Sequence, residues 1–147
     1  MWVSRIGTLG AVWLAIALVL AVLWRRPSLL VAVLFSVGAA DLLTALIKHA
    51  VPRHRPFEHQ LGPSERTHSF PSGHTATAFA GATVLSAFAP RYRLVFYALA
   101  CLIGFSRLYN GVHYPTDVAA GAVLGAATAL LLLAATRRRS LRAPRRG

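Results

Sequence analysis

Residues 29–47 read LLVAVLFSVGAADLLTALI, from Leu29 to Ile47, and are closed by Lys48. One ionisable side chain, Asp41, interrupts an otherwise apolar run. A spanning helix needs about 20 such residues, so this stretch predicts a helix that crosses a bilayer.

The same pattern extends in both directions. Upstream lies Gly7 to Trp24, closed by Arg25, Arg26 and Pro27. Far downstream lies Val118 to Thr136, closed by Arg137, Arg138 and Arg139. Between them are Thr75 to Ala89, closed by Pro90 and Arg91, and Leu94 to Phe105, closed by Ser106 and Arg107. These two reach spanning length only if their polar flanks enter the membrane. The expected fold is an all-α integral membrane bundle of about five transmembrane helices. It forms one domain over 1–136, with a basic cytoplasmic tail over 137–147. The first run ends in Leu23, Trp24 and two arginines without a small-x-small cleavage site, so it reads as a retained helix.

Composition agrees. Of 147 residues, 56% are hydrophobic and 14% are charged, against about 25% charged in a soluble domain. The acidic residues are Asp41, Glu58, Glu65 and Asp117. The net charge of +12 raises nucleic-acid binding. A nucleic-acid binder presents its basic residues as a patch on a soluble fold, whereas these arginines flank apolar runs. Cys101 stands alone, so no intrachain disulfide forms.

Charge placement sets the topology. With five helices, Arg25 and Arg26, then Arg91 and Arg93, then the arginines after Thr136 share one side. The positive-inside rule makes that side cytoplasmic. The segments from Lys48 to His74 and from Arg107 to Asp117 then share the outer side. They too are basic, with Lys48, Arg53, Arg55, Arg66 and Arg107, so these cations need another task.

A phosphate site supplies one. The outer segments read K-x6-R-P from Lys48 through Arg55 to Pro56, P-S-G-H from Pro71 to His74, and S-R-x5-H-x3-D from Ser106 to Asp117. Lys48, Arg55 and Arg107 are cations, and arginine grips phosphate oxygens bidentately. Ser72 and Gly73 precede a helix, where backbone N–H groups and the helix dipole favour an anion. His113 and Asp117 are four apart and would share a helix face. Asp117 can then accept the Nδ1–H of His113 and leave Nε2 to attack phosphorus. His74 can protonate the leaving oxygen. One carboxylate already engaged by a histidine makes a poor Mg²⁺ site.

These three segments resemble the signature motifs of the type 2 phosphatidic acid phosphatase superfamily, which also includes the vanadium haloperoxidases. Every fixed position is filled, in order, across Lys48 to Asp117. The resemblance implies that Lys48, Arg55, Ser72, Gly73 and Arg107 bind phosphate, that His74 is the acid, and that His113 is the nucleophile supported by Asp117. It implies no metal and no cofactor. Family members often have a six-helix core, one more than the five runs here, and a homodimer can cover the difference.

The expected activity is hydrolysis of a lipid phosphate or pyrophosphate, such as undecaprenyl pyrophosphate, phosphatidylglycerol phosphate or phosphatidic acid. The expected location is the cytoplasmic membrane, with an outward-facing site and a cytoplasmic C-terminus. A lipid phosphotransferase or a non-catalytic lipid-binding protein is the alternative. His49, His54, His59 and His68 have spacings that fit no tight metal site. Arg53 and Arg66 read as solvated loop residues. Asp41 reads either as a buried hydrogen-bonder or as a support for the cations. Tyr109 and Asn110 read as shape-setting loop residues. Gly104, Gly121 and Gly125 read as close helix packing.

Overall fold

A computed structural model describes residues 10–56 and 67–142, the side chains of 139–142 excepted. Gly7 at the start of the first run, His59 and Arg66 of the long loop, and the end of the basic tail lie outside the described residues. Among the described residues all regular structure is helical. The elements are α1 (Gly10–Leu23), α2 (Pro27–Ala50), α3 (Gly73–Phe88), a 3-10 turn at Pro90–Tyr92, α4 (Arg93–Tyr109) and α5 (Pro115–Arg142).

The helix ends follow local chemistry. Proline occupies the first turn of α2 and opens α5, where its missing N–H costs nothing. Pro52 follows the C-cap Val51 and cannot continue α2. The α1 end closes by a Schellman pattern, with Arg25 N–H on the Val22 carbonyl at 3.2 Å and Arg26 N–H on that of Ala21 at 2.9 Å. Arg25 accordingly takes a left-handed φ of 53°.

Five helices match the five apolar runs. Two of the spans, Pro27–Ala50 and Pro115–Arg138, are long and apolar enough to cross a membrane, with mean hydropathy 2.3 and 2.2. The 16 residues of α3 and 17 of α4 extend about 24–26 Å at 1.5 Å per residue. That is somewhat less than a hydrocarbon core of about 30 Å.

The bundle is small inside and large outside. Its axis is α3, which packs against all four other helices and buries every residue from Thr75 to Val84 except Phe79, as well as Leu85. Ala76, Ala78, Ala80 and Ala82 are fully buried, while Leu18, Phe35, Leu42, Leu94, Phe105 and Leu131 are exposed. This arrangement suits helices surrounded by apolar lipid, where close backbone approach stabilises the contact. A Cβ on Gly121 would stand 2.5 Å from the Ser72 carbonyl oxygen, and one on Gly125 would collide with the carbonyl of Ala76. At Gly104 a Cβ would meet Val118 at 3.1 Å. The glycines expected to mark close packing therefore do so, and α3 and α5 approach each other closely along Gly121 and Gly125. Three interior threonine hydroxyls are satisfied locally: Thr77 donates to Gly73 O, Thr83 to Phe79 O, and Thr44 to Ala40 O.

Candidate active site

Four helix ends meet on one side of this bundle: the exits of α2 and α4 and the entrances of α3 and α5. The α4–α5 connection explains the S-R-x5-H spacing. Gly111 N–H donates to the Leu108 carbonyl at 2.9 Å and Val112 N–H to that of Arg107 at 3.3 Å. This is a second Schellman closure, with Gly111 at φ 65° in the left-handed region that favours glycine. It caps the carbonyl of Arg107 and delivers His113 immediately afterwards. Tyr109 ends α4 and Asn110 is its C-cap, in keeping with their expected shaping role.

The H-x3-D spacing has a different cause from the one expected. His113 precedes α5, which begins at Pro115, so the two residues do not share a helix face. Asp117 is the third helical residue, and its Oδ2 accepts the Tyr114 N–H at 2.9 Å. That is the returning arm of a capping box. The same oxygen lies 3.5 Å from His113 Nδ1. Asp117 is fully buried and His113 is 3% exposed.

Arg55 approaches the other side of the ring. Its Nη1 is 3.4 Å from His113 Nε2 and donates to the Val112 carbonyl at 2.7 Å. Its Nε donates to the Thr67 carbonyl at 2.8 Å and its Nη2 to Thr67 Oγ1 at 3.2 Å. Arg55 is thus buried and held with one edge against the histidine. Lys48, on the last turn of α2, donates to the His68 carbonyl at 2.7 Å. Arg107 donates from Nε to Ser106 Oγ at 3.2 Å. His74 is half-buried in the first turn of α3.

Ser72 departs from expectation in one detail. Its backbone N–H donates to the Asp117 carbonyl at 3.0 Å, so that N–H ties α3 to α5 instead of pointing at an anion. The Ser72 hydroxyl oxygen accepts from Thr75 Oγ1 at 3.0 Å and retains its own proton for donation. Gly73 is the first helical residue of α3. Its N–H belongs to the turn whose donors have no intrahelical partner. A Cβ there would press on Thr44 of α2 at 3.3 Å.

Two further expectations change. Asp41 is exposed on α2, which removes the buried hydrogen-bonder from its two expected readings and leaves the support for the cations. Arg53 is not a solvated loop residue. Its Nη1 donates to Asp117 Oδ1 at 2.9 Å and to Thr116 Oγ1 at 2.7 Å, and its guanidinium carbon lies 4.3 Å from the Tyr114 ring centroid. Exposure alternates along this non-helical segment: Arg53 is partly covered, His54 exposed and Arg55 buried. A period of two, as in an extended chain, is the sequence signal that pairs Arg53 with Arg55.

Comparison with known proteins identifies the family. The sequence profile of the PAP2 superfamily matches residues 29–141. The chain is 39% identical over 106 residues to a lipid A 1-phosphatase of Rhizobium johnstonii, covering 66% of this chain and 43% of that protein. It is 31% identical over 120 residues to an undecaprenyl-diphosphatase of Sulfolobus acidocaldarius, covering 78% and 58%. The chain thus spans about half the length of the curated relatives it matches. The crystal structure of Aquifex aeolicus LpxE superposes with a TM-score of 0.75 at 30% identity, covering 85% of this chain and 78% of that one. Motif spacing, helix-end geometry and the match over residues 29–141 agree: the chain belongs to the PAP2 superfamily.

Proposed function

We propose that this chain is a metal-independent membrane phosphatase that hydrolyses a lipid phosphomonoester or pyrophosphate through a phosphohistidine on His113. One observation carries the reading. The His113 ring stands between a carboxylate 3.5 Å from Nδ1 and a guanidinium 3.4 Å from Nε2. A histidine so placed has a carboxylate beside Nδ1 to favour a proton there, and beside Nε2 a cation that attracts phosphate.

In the first step Nε2 attacks phosphorus and the bond from phosphorus to the leaving oxygen breaks. His74 donates a proton to that oxygen. Arg55, Lys48, Arg107, the Ser72 hydroxyl and the first-turn N–H groups of α3 hold the charge on the equatorial oxygens. In the second step water attacks the same phosphorus, His74 takes its proton, and the P–N bond breaks to release phosphate. The substrate is a lipid with a terminal phosphate or diphosphate, and a polyprenyl pyrophosphate is our first choice.

All five helices cross the cytoplasmic membrane in this reading, with the site at the outer head-group level and the C-terminus inside. Among the described residues, the cations on the site's side have structural partners: Lys48 on His68, Arg53 on Asp117, Arg55 on Thr67 and Val112, and Arg107 on Ser106. They therefore do not count against the positive-inside orientation that the arginines at the opposite end favour. A reporter fused after Gly147 tests this, since periplasmic activity would overturn the orientation.

The function is tested by giving purified protein in detergent a panel of lipid phosphates and pyrophosphates with EDTA present. Phosphate release should persist in EDTA and stop with vanadate. Release that requires a divalent metal, or absence of release from every lipid, counts against the proposal.

A further inference from the structure

Arg53 lies inside the x6 of the first motif, where the pattern fixes no residue type. Its side chain nevertheless reaches Asp117, 64 positions away, with Nη1 2.9 Å from Oδ1. The same nitrogen donates to Thr116 Oγ1 at 2.7 Å, and the guanidinium covers the Tyr114 ring. Its backbone is fixed as well: the Arg53 carbonyl accepts from Ser69 N–H at 2.9 Å, and its own N–H donates to Val51 O at 2.8 Å. Arg53 thereby joins the exit of α2, the approach to α3 and the first turn of α5.

We infer that Arg53 is a positioning residue that orients and tempers the Asp117 carboxylate, and so sets the proton affinity of the His113 imidazole. The inference rests on the reading of His113 as nucleophile. A carboxylate has two oxygens to distribute. Arg53 occupies Oδ1, which leaves Oδ2 to the Tyr114 N–H and the His113 edge. A fully buried carboxylate is costly without a counter-charge, and Arg53 supplies one.

The electrostatic consequence has a definite sign. A carboxylate beside His113 favours the imidazolium, and a cation bonded to that carboxylate weakens the effect. Arg53 therefore keeps Nε2 unprotonated, and nucleophilic, to lower pH. Arg55 acts in the same direction from the opposite side of the ring, 3.4 Å from Nε2. Lys48 and His49 on α2, His54 after it, His74 on α3, Arg107 and Tyr109 on α4 and Tyr114 before α5 are the other titratable or charged groups that the motif segments bring to this end. From α3 the Ser72 N–H meets the backbone carbonyl of Asp117, not its carboxylate.

The test compares wild type, Arg53→Ala, Arg53→Gln and Arg53→Lys in the full chain, measuring phosphate release from a lipid phosphate across pH. For Arg53→Ala and Arg53→Gln, kcat should fall about 10- to 100-fold, as for other residues that orient a reacting group. KM should change much less, and the acid limb of the profile should move to higher pH. Arg53→Lys should restore most of the rate and the position of the limb. A raised KM with an unmoved limb would mean that Arg53 binds substrate directly and would overturn the inference, as would wild-type kinetics in Arg53→Gln. A second readout needs no turnover. The His113 imidazole, followed by ¹⁵N NMR in micelles, should titrate at higher pH in Arg53→Gln than in wild type. An unchanged titration overturns the inference even if the chain hydrolyses nothing, whereas an inactive wild type counts against the phosphatase reading alone.

Discussion

His113 Nδ1 stands 3.5 Å from Asp117 Oδ2 although only one of the two residues lies on a helix. The closeness comes from the way α5 begins. Asp117 turns back to cap the Tyr114 N–H, and the histidine just before that cap is drawn to the same oxygen. One carboxylate thus starts a helix and supports the candidate nucleophile.

This dual task separates two substitutions. In Asp117→Asn the side-chain oxygen can still accept from Tyr114, but the negative charge is gone. We expect kcat to fall about 10²- to 10⁴-fold, the range between outer-shell and triad carboxylate losses. Thermal stability in detergent should fall less than in Asp117→Ala, which also loses a cap contribution of about 1 kcal/mol. Equal melting temperatures with equal kcat for the two variants would contradict the capping role.

The left-handed turn at Gly111 makes a second prediction. A Cβ at φ 65° costs about 1–2 kcal/mol, and the turn carries His113 into place. Gly111→Ala should lower both thermal stability and phosphate release, whereas Gly38→Ala, on an open face of α2, should be neutral or slightly stabilising. Thermal denaturation of the two variants side by side decides it.

The α3–α5 contact makes a third. A Cβ at Gly125 collides with the Ala76 backbone, which cannot move without displacing α3. Gly125→Ala should therefore destabilise the bundle by several kcal/mol, at the upper end of what single substitutions do. A folded, fully active Gly125→Ala protein would show that the helices separate more readily than their packing indicates.

Arg55 makes a fourth. It donates to Thr67 and Val112 while facing Nε2, a fork that lysine cannot reproduce. Arg55→Lys should keep the charge yet lose at least about tenfold in kcat/KM, and Arg55→Ala more, by an estimated 2–5 kcal/mol for a buried charged hydrogen-bonding group. Steady-state kinetics on one lipid phosphate checks both, and wild-type kcat/KM in Arg55→Lys would contradict the fork.

Much of this was legible in the sequence. The apolar run from Leu29 to Ile47 marked α2, and the prolines and arginines between runs marked the helix ends. The motif residues converged because alternate helix ends share a side. What escaped was long-range pairing. The Arg53–Asp117 bond joins residues 64 apart, and no local propensity records such a contact. The engagement of the Ser72 N–H by the Asp117 carbonyl escaped likewise, since it depends on how closely Gly121 and Gly125 let α5 approach α3. The spacing of four between His113 and Asp117 fits both a helix face and a capping box, and the structure takes the second.

The proposed hydrolysis passes through a covalent bond between phosphorus and His113. Its most direct test is to mix the protein with a lipid carrying labelled phosphate, quench with alkali within the first turnovers, and locate the label by peptide mass spectrometry. An acid-labile phosphoramidate is expected on the peptide containing His113, absent from His113→Ala, which also releases no phosphate. Label on another residue, or full phosphate release by His113→Ala, would contradict it.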